Sequence, residues 1–311
     1  MLNSSITEGK VSGERVLLDS GTNPCQDLSK CPYNYKNIMP DYVEGAPVVI
    51  TDGLTEFMEI NLDIYLDKVY EDMPPSKLDS VEVFSGVAGR ALMWMRLYDR
   101  TGNSSYLSTA QAYMDTSLAH VNSITNDYVG FLWGKTGVYS VAAVLATIQG
   151  DNDLATSMIQ QVQRLFDLAK DDSFAKYDDY DSGRAGLLFA AKFLQTFYDE
   201  QNKDGHATDV ITRSSIVAVA NATVQRGKAL SRDPAYLEWI SPNDGGKWLG
   251  MSHGSAGVLS QLLDVPELLQ EGSETRELIK GTLDHIVSEQ FPSGNFPSEY
   301  YAEDDDVLVQ W

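Results

Sequence analysis

Cysteine is almost missing: Cys25 and Cys31 are the two in 311 residues. That excludes a disulfide-built scaffold. With no histidine near them the pair does not make a zinc site alone, and it reads as two loop thiols or a local disulfide. Basic charge is also short. Lys and Arg number 23 against 45 Asp and Glu, a net charge of −22. A chain this acidic is repelled by phosphate backbones and anionic lipid, and its cations do not cluster, so no nucleic-acid partner is expected. No feature indicates membrane association, which stays open, and no apolar run is long enough to span a bilayer. The opening MLNSSITEGK has no apolar core of a secretory signal, so the expected compartment is cytoplasmic. Sequons at Asn3, Asn103 and Asn221 then read as accidents of composition.

What is present is a repeat. Four Gly-x-x-Gly segments begin at Gly86, Gly134, Gly183 and Gly254 and are separated by 48, 49 and 71 residues. Each leads into an apolar run of helical length: RALMWMRLY, VYSVAAVLA, LLFAAKFLQTFY and VLSQLL. Apolar on most faces, these predict buried helices. Between them, residues 104–122, 153–170, 209–226 and 273–290 carry apolar residues at helical spacing on one face only, and 52–71 looks like an earlier member of the set. Strand signals are weak. One buried and one half-buried helix per repeat suit a closed ring within a ring. The expected fold is all-α, an (α/α) toroid over residues 46–311, preceded by a partly irregular extension over 1–45.

The glycine pairs permit sharp turns and close packing where the chain enters each inner helix. The N-termini of these helices, that at Gly254 among them, would gather at one end of the ring and offer free N–H groups and partial positive charge to an anionic ligand. The residue before the first glycine is Ser85, Trp133, Ser182 or His253. His253 is the one with acid–base chemistry, and a helix N-terminus is expected to hold its imidazole neutral near pH 7. Four residues before the first glycine stand Glu82, Gly130, Asp179 and Gly250. Asp179 could orient that imidazole, while Asp178 and Asp181 on either side read as a solvated acidic loop. Lys135 and Arg184, each directly after a first glycine, are candidate ligands for a substrate carboxylate.

Met251-Ser252-His253-Gly254-Ser255-Ala256-Gly257 resembles the AHGxxG signature of the lanthionine synthetase C-like (LanC-like) family. Phe291-Pro292-Ser293-Gly294-Asn295-Phe296-Pro297 resembles the FPSGNYP stretch of its eukaryotic members. Val307-Leu308-Val309-Gln310-Trp311 is similar to the LVHW that precedes the family's Cys-His-Gly motif. The Gly-Arg-x-Gly at Gly183 and Trp-Gly-Lys-Thr-Gly at Trp133 fit as well, and the resemblance covers about residues 45–311. It implies an (α/α) barrel, usually of seven helix pairs, whose bacterial members form thioethers by adding cysteine to dehydroalanine or dehydrobutyrine. Eukaryotic members bind glutathione, and the resemblance implies that they add its thiol to dehydrated residues in proteins. It further implies a zinc held by two cysteines and a histidine, proton handling at the enolate stage by His253, and a site role for Asp179.

This chain departs from that pattern. None of the three zinc ligands falls within residues 1–311, so zinc is expected in the complete family protein and not on this chain. Four glycine pairs are too few for seven, and the sequence reads as a piece truncated before the Cys-His-Gly motif. The expected activity, thiol addition to a dehydroamino-acid-containing protein with glutathione or a thiol peptide as partner, therefore belongs to the complete protein, and whether this chain catalyses is open. Two other readings are a catalytically inactive toroid that binds glutathione or a protein, and a carbohydrate-active α/α-barrel with Glu82 and Asp179 as its two carboxylates.

Overall fold

The computed structural model describes residues 52–201, 210–241, 244–292 and 294–300. All belong to the second of two units, Ile50–Trp311, into which the chain divides. The extension over 1–45, both cysteines, His206 and the 307–311 motif lie outside them.

The described residues form nine α-helices and no strand: α1 Asp52–Asp72, α2 Val87–Thr101, α3 Ser104–His120, α4 Lys135–Gln149, α5 Asn152–Ala169, α6 Arg184–Gln201, α7 Arg213–Leu230, α8 Ser255–Leu262 and α9 Glu274–Ser288. The inner helices α2, α4, α6 and α8 pack side by side in chain order. Outside them, α3 lies on α2 and α4, α5 on α4 and α7, and α7 on α6. This is the all-α toroid arrangement expected from the repeat.

Local chemistry sets the hairpins. α2 and α4 stop at Gly102 and Gly150, both at positive φ (69° and 80°), where a side chain would be strained. The next residue starts the outer helix: Asn103 accepts from the Ser105 N–H, and Asp151 accepts from that of Leu154, both at 3.0 Å. Gly272 and Ser273 repeat the pair before α9. A stop signal abutting an N-cap folds the two helices back on each other with no spare residues.

α4 shows why the inner runs are apolar all round. Ten consecutive-to-near-consecutive residues from Thr136 to Ala146 are buried, because α2 and α6 flank the helix while α3 and α5 lie on it. Each fully buried Val or Leu there contributes about 1.5–3 kcal/mol. α5 is half-buried as expected, turning Val162 and Phe166 inward. α7 begins and ends four residues later than the 209–226 expectation. The buried Ile211 lies ahead of it, and the Thr212 N–H is held by the Gln163 side chain of α5 (2.9 Å). α1 leaves Met58, Ile60, Leu62, Ile64, Tyr65 and Tyr70 exposed and buries Leu66.

Candidate functional site

The loops that enter the inner helices collect at one end and are stitched to one another. Val83 and Phe84 N–H donate to the Leu132 carbonyl, Val129 and Gly130 N–H to that of Ser182, Trp133 N–H to Asp181, and Asp181 N–H to Ser252. The second glycine of every pair lets this happen. A Cβ on Gly89, Gly137, Gly186 or Gly257 would come within 3.0 Å of the carbonyl oxygen six residues earlier. At Gly137 it would also meet Val83 of the previous loop at 2.8 Å. Glycine here serves close approach.

At three of the four inner helices the same loops overturn the expectation of free donors. Val87 and Ala88 N–H bond the Ser80 and Val81 carbonyls, Arg184 and Ala185 bond Tyr177 and Asp178, and Ser255 and Ala256 bond Trp248 and Leu249. In each case the acceptor lies seven residues earlier, so the loop satisfies its own helix start. Gly254 is the N-cap of α8, and the first two helical N–H groups after it are engaged. An anion site built on them is therefore not supported.

His253 sits just before that cap, its side chain 57% exposed. Asp179 Oδ1 lies 3.9 Å from its Nδ1, and Asp181 Oδ2 lies 3.7 Å from its Nε2. These are charge contacts rather than hydrogen bonds. Asp179 is the largest influence and holds the imidazole pKa above its ordinary value. Partial burial opposes this, and the charges of Asp179, Asp181 and Asp244 reinforce it. The helix N-terminus was expected to lower this pKa, and that direction is corrected: the carboxylates raise it, beside a helix N-terminus whose first donors are already engaged.

Asp178, Asp179 and Asp181 are all buried, not a solvated loop. Asp179 Oδ1 accepts the Ser182 N–H at 2.7 Å. Glu82 does the equivalent in the first repeat, accepting the Ser85 N–H (3.3 Å) and hydroxyl (2.7 Å), with Ser80 Oγ on its other oxygen. Burial pushes the Glu82 pKa up, but these bonds outweigh it and leave it below the ordinary carboxylate value. The register shared by Glu82 and Asp179 is therefore a turn-capping position. Glu82 is 4% exposed and ringed by its own turn, which removes it as the second carboxylate of a glycosidase.

Arg184 is fully buried. Its Nε donates to the Ala169 carbonyl (2.7 Å), Nη1 to Asp178 (2.8 Å) and Nη2 to Asp172 (2.6 Å). A guanidinium without solvent access does not receive a diffusing carboxylate, so the ligand-binding expectation gives way to a structural one. Arg226 of α7 approaches the other oxygen of Asp178 at 3.3 Å. Lys135 Nζ donates to Asn126 Oδ1 (2.9 Å) at the surface. Sequence reasoning missed Asp181. Its signal was present two residues before the first glycine, where the other repeats carry Phe84, Leu132 and Ser252.

No helix among the described residues is long and apolar enough to cross a membrane. Among them, too, no group of three His, Cys, Asp or Glu side chains is arranged to hold a metal ion. The residues described do not fit the zinc that the resemblance implies.

Residues 78–311 match the family model for lanthionine synthetase C-like protein. The LanC-like protein GCL1 of Arabidopsis thaliana is 30% identical over 236 residues, 74% of this chain and 51% of that protein. A Danio rerio protein named glutathione S-transferase LANCL1 is 25% identical over 229 residues, 73% of this chain and 54% of that one. The chain thus spans about half the length of the curated relatives it matches.

Proposed function

The chain belongs to the lanthionine synthetase C-like family, and on that premise we propose that it takes part in adding a thiol to the double bond of a dehydroamino acid, with glutathione as the thiol and a protein or peptide as the acceptor. The observation that carries the reading is His253, solvent-reaching and flanked by buried carboxylates at the stitched end of the inner ring. The name of the zebrafish relative supports glutathione as the donor.

The thiolate is the nucleophile. Its sulfur bonds the β-carbon of the dehydroamino acid, the carbon–carbon π bond opens, and the electron pair moves onto the carbonyl as an enolate. The α-carbon then takes a proton from the His253 imidazolium, which recovers one from solvent. The proton lost by the thiol balances the proton gained by the carbon. Asp179 favours the charged ring before transfer. The rate therefore rises with thiolate on the acid side and falls as pH climbs through the raised His253 pKa, a bell-shaped profile. The cytoplasm, where glutathione keeps thiols reduced, is the compartment this chemistry fits.

The test mixes the 311-residue chain with glutathione and a dehydroalanine peptide and follows the peptide's mass. The reading predicts an adduct formed faster than without protein, and a rate reduced about 10²–10⁴-fold in His253→Asn. An uncatalysed rate with the intact chain, or full activity in the variant, refutes it.

A further inference from the structure

Asp181 has a feature that its loop does not explain. Its side chain is 7% exposed, and burying a carboxylate is costly without a partner. Turn geometry does not require it, because the same register holds Phe84, Leu132 and Ser252 in the other repeats. Asp179, by contrast, performs a turn-capping task that Glu82 performs where no histidine lies near. Asp181 instead reaches across to the fourth loop. Its Oδ2 accepts the Ser252 hydroxyl at 2.5 Å and faces His253 Nε2 at 3.7 Å. Its backbone N–H donates to the Ser252 carbonyl, and its own carbonyl accepts from Trp133 N–H, both at 3.3 Å. Among the described residues, His253 is the cationic group within 4.0 Å of this carboxylate.

We propose that Asp181 is a positioning residue for His253: anchored by the Ser252 hydroxyl, it fixes the Nε2 edge of the ring while Asp179 faces the Nδ1 edge. A single carboxylate leaves the exposed imidazole free to turn about its Cβ–Cγ bond. Carboxylates at opposite nitrogens define its plane, and a short charge-assisted bond holds one of them in place. The groups facing the ring are Asp179 and Asp181 on the third loop and Asp244 from the loop ahead of α8. The second carboxylate also favours the charged form of the ring, in the same direction as Asp179. This proposal rests on His253 acting as the proton donor, and it adds that the junction between the third and fourth loops is part of the device.

The experiment uses the full chain and two variants. Asp181→Asn retains the shape and an acceptor for Ser252, and Asp181→Ser places the residue that the next repeat carries at this register. Both are expected to lower kcat for glutathione addition about tenfold, the cost of a slightly misplaced catalytic group. KM and melting temperature stay near those of the parent, and the alkaline limb of the pH profile moves to lower pH. The NMR titration midpoint of His253 moves the same way. Parent-like pH profiles and His253 midpoints in the variants overturn the proposal. An inactive parent, or an active His253→Asn variant, refutes the thiol-addition reading instead, and the NMR midpoint still decides the place of Asp181.

Discussion

Replacing Arg184 by methionine tests the buried charge cluster under the acidic loop. The guanidinium has no solvent exposure and binds Ala169 O, Asp178 and Asp172. Methionine keeps an unbranched apolar stem, shorter than the guanidinium's reach, and removes all three bonds. Asp178 then retains Arg226 at 3.3 Å as its cation, and the Ala169 carbonyl loses a buried donor. Breaking a buried pair from one side costs about 3–5 kcal/mol, a large share of the roughly 5–15 kcal/mol that holds a domain folded. For a unit of this size it lowers Tm by about 10 °C. The loss has a pH signature. Burial, the largest influence, pushes the Asp178 carboxyl up from 3.8 to about 6 despite Arg184 and Arg226. Between those two values the folded chain holds the extra proton, so stability falls as pH rises through that window. Removing Arg184 raises the folded value further, and the variant therefore loses more at pH 7.5 than at pH 5. Urea unfolding at both pH values, followed by far-UV circular dichroism, measures it. Asp172→Asn, at an exposed carboxylate, is the control, with a loss of about 1 kcal/mol or less. A loss below about 1 kcal/mol in Arg184→Met, when a buried pair predicts several, or one equal at the two pH values, refutes the account.

Three further outcomes follow from the same geometry. Gly137→Ala drives a Cβ into the Phe131 carbonyl and Val83 and costs about 1–3 kcal/mol or more. Gly150→Ala meets open space at φ 80° and costs about 1–2 kcal/mol of backbone strain, so thermal melts that rank the two in reverse contradict the packing role of the second glycine. Asp179→Asn lowers the NMR titration midpoint of His253, since Asp179 is the main cause of its elevation; an unchanged midpoint assigns that elevation elsewhere. Glu82→Gln weakens the first turn by about 1–2 kcal/mol and leaves the rate of thiol addition unaltered, and a matching loss of rate would make Glu82 part of the site after all.

Much of the fold was legible because it is written locally. The Gly-x-x-Gly spacing, the apolar runs after each pair and the one-sided apolar spacing of the outer helices are all short-range signals. They placed the inner and outer helices to within a few residues. α7 was the exception. Its start depends on Gln163 of α5 holding the Thr212 N–H, a contact 49 residues distant in the chain. Burial of the loops was not legible either. Asp178 and Asp181 look solvated until Arg184 and Arg226 are brought to the first and Ser252 to the second by two helices and a loop.

The site shows the same division more sharply. His253 and Asp179 could be singled out because register within a repeat is a property of one sequence. What each does depends on which repeat stands beside it. Glu82 and Asp179 occupy the same register and make the same turn bond, yet only the third loop lies against the fourth, where histidine replaces Ser85, Trp133 and Ser182. A structural carboxylate thereby becomes a partner to an ionisable ring without any change in its own geometry. The direction of the His253 shift differed from the expectation for the same reason. A helix N-terminus argues for a neutral imidazole only if its N–H groups are free, and here the Trp248 and Leu249 carbonyls take them. Once that positive end is satisfied internally, the nearby carboxylates raise the His253 pKa, and the chemistry proposed for this scaffold lies where one repeat meets the next.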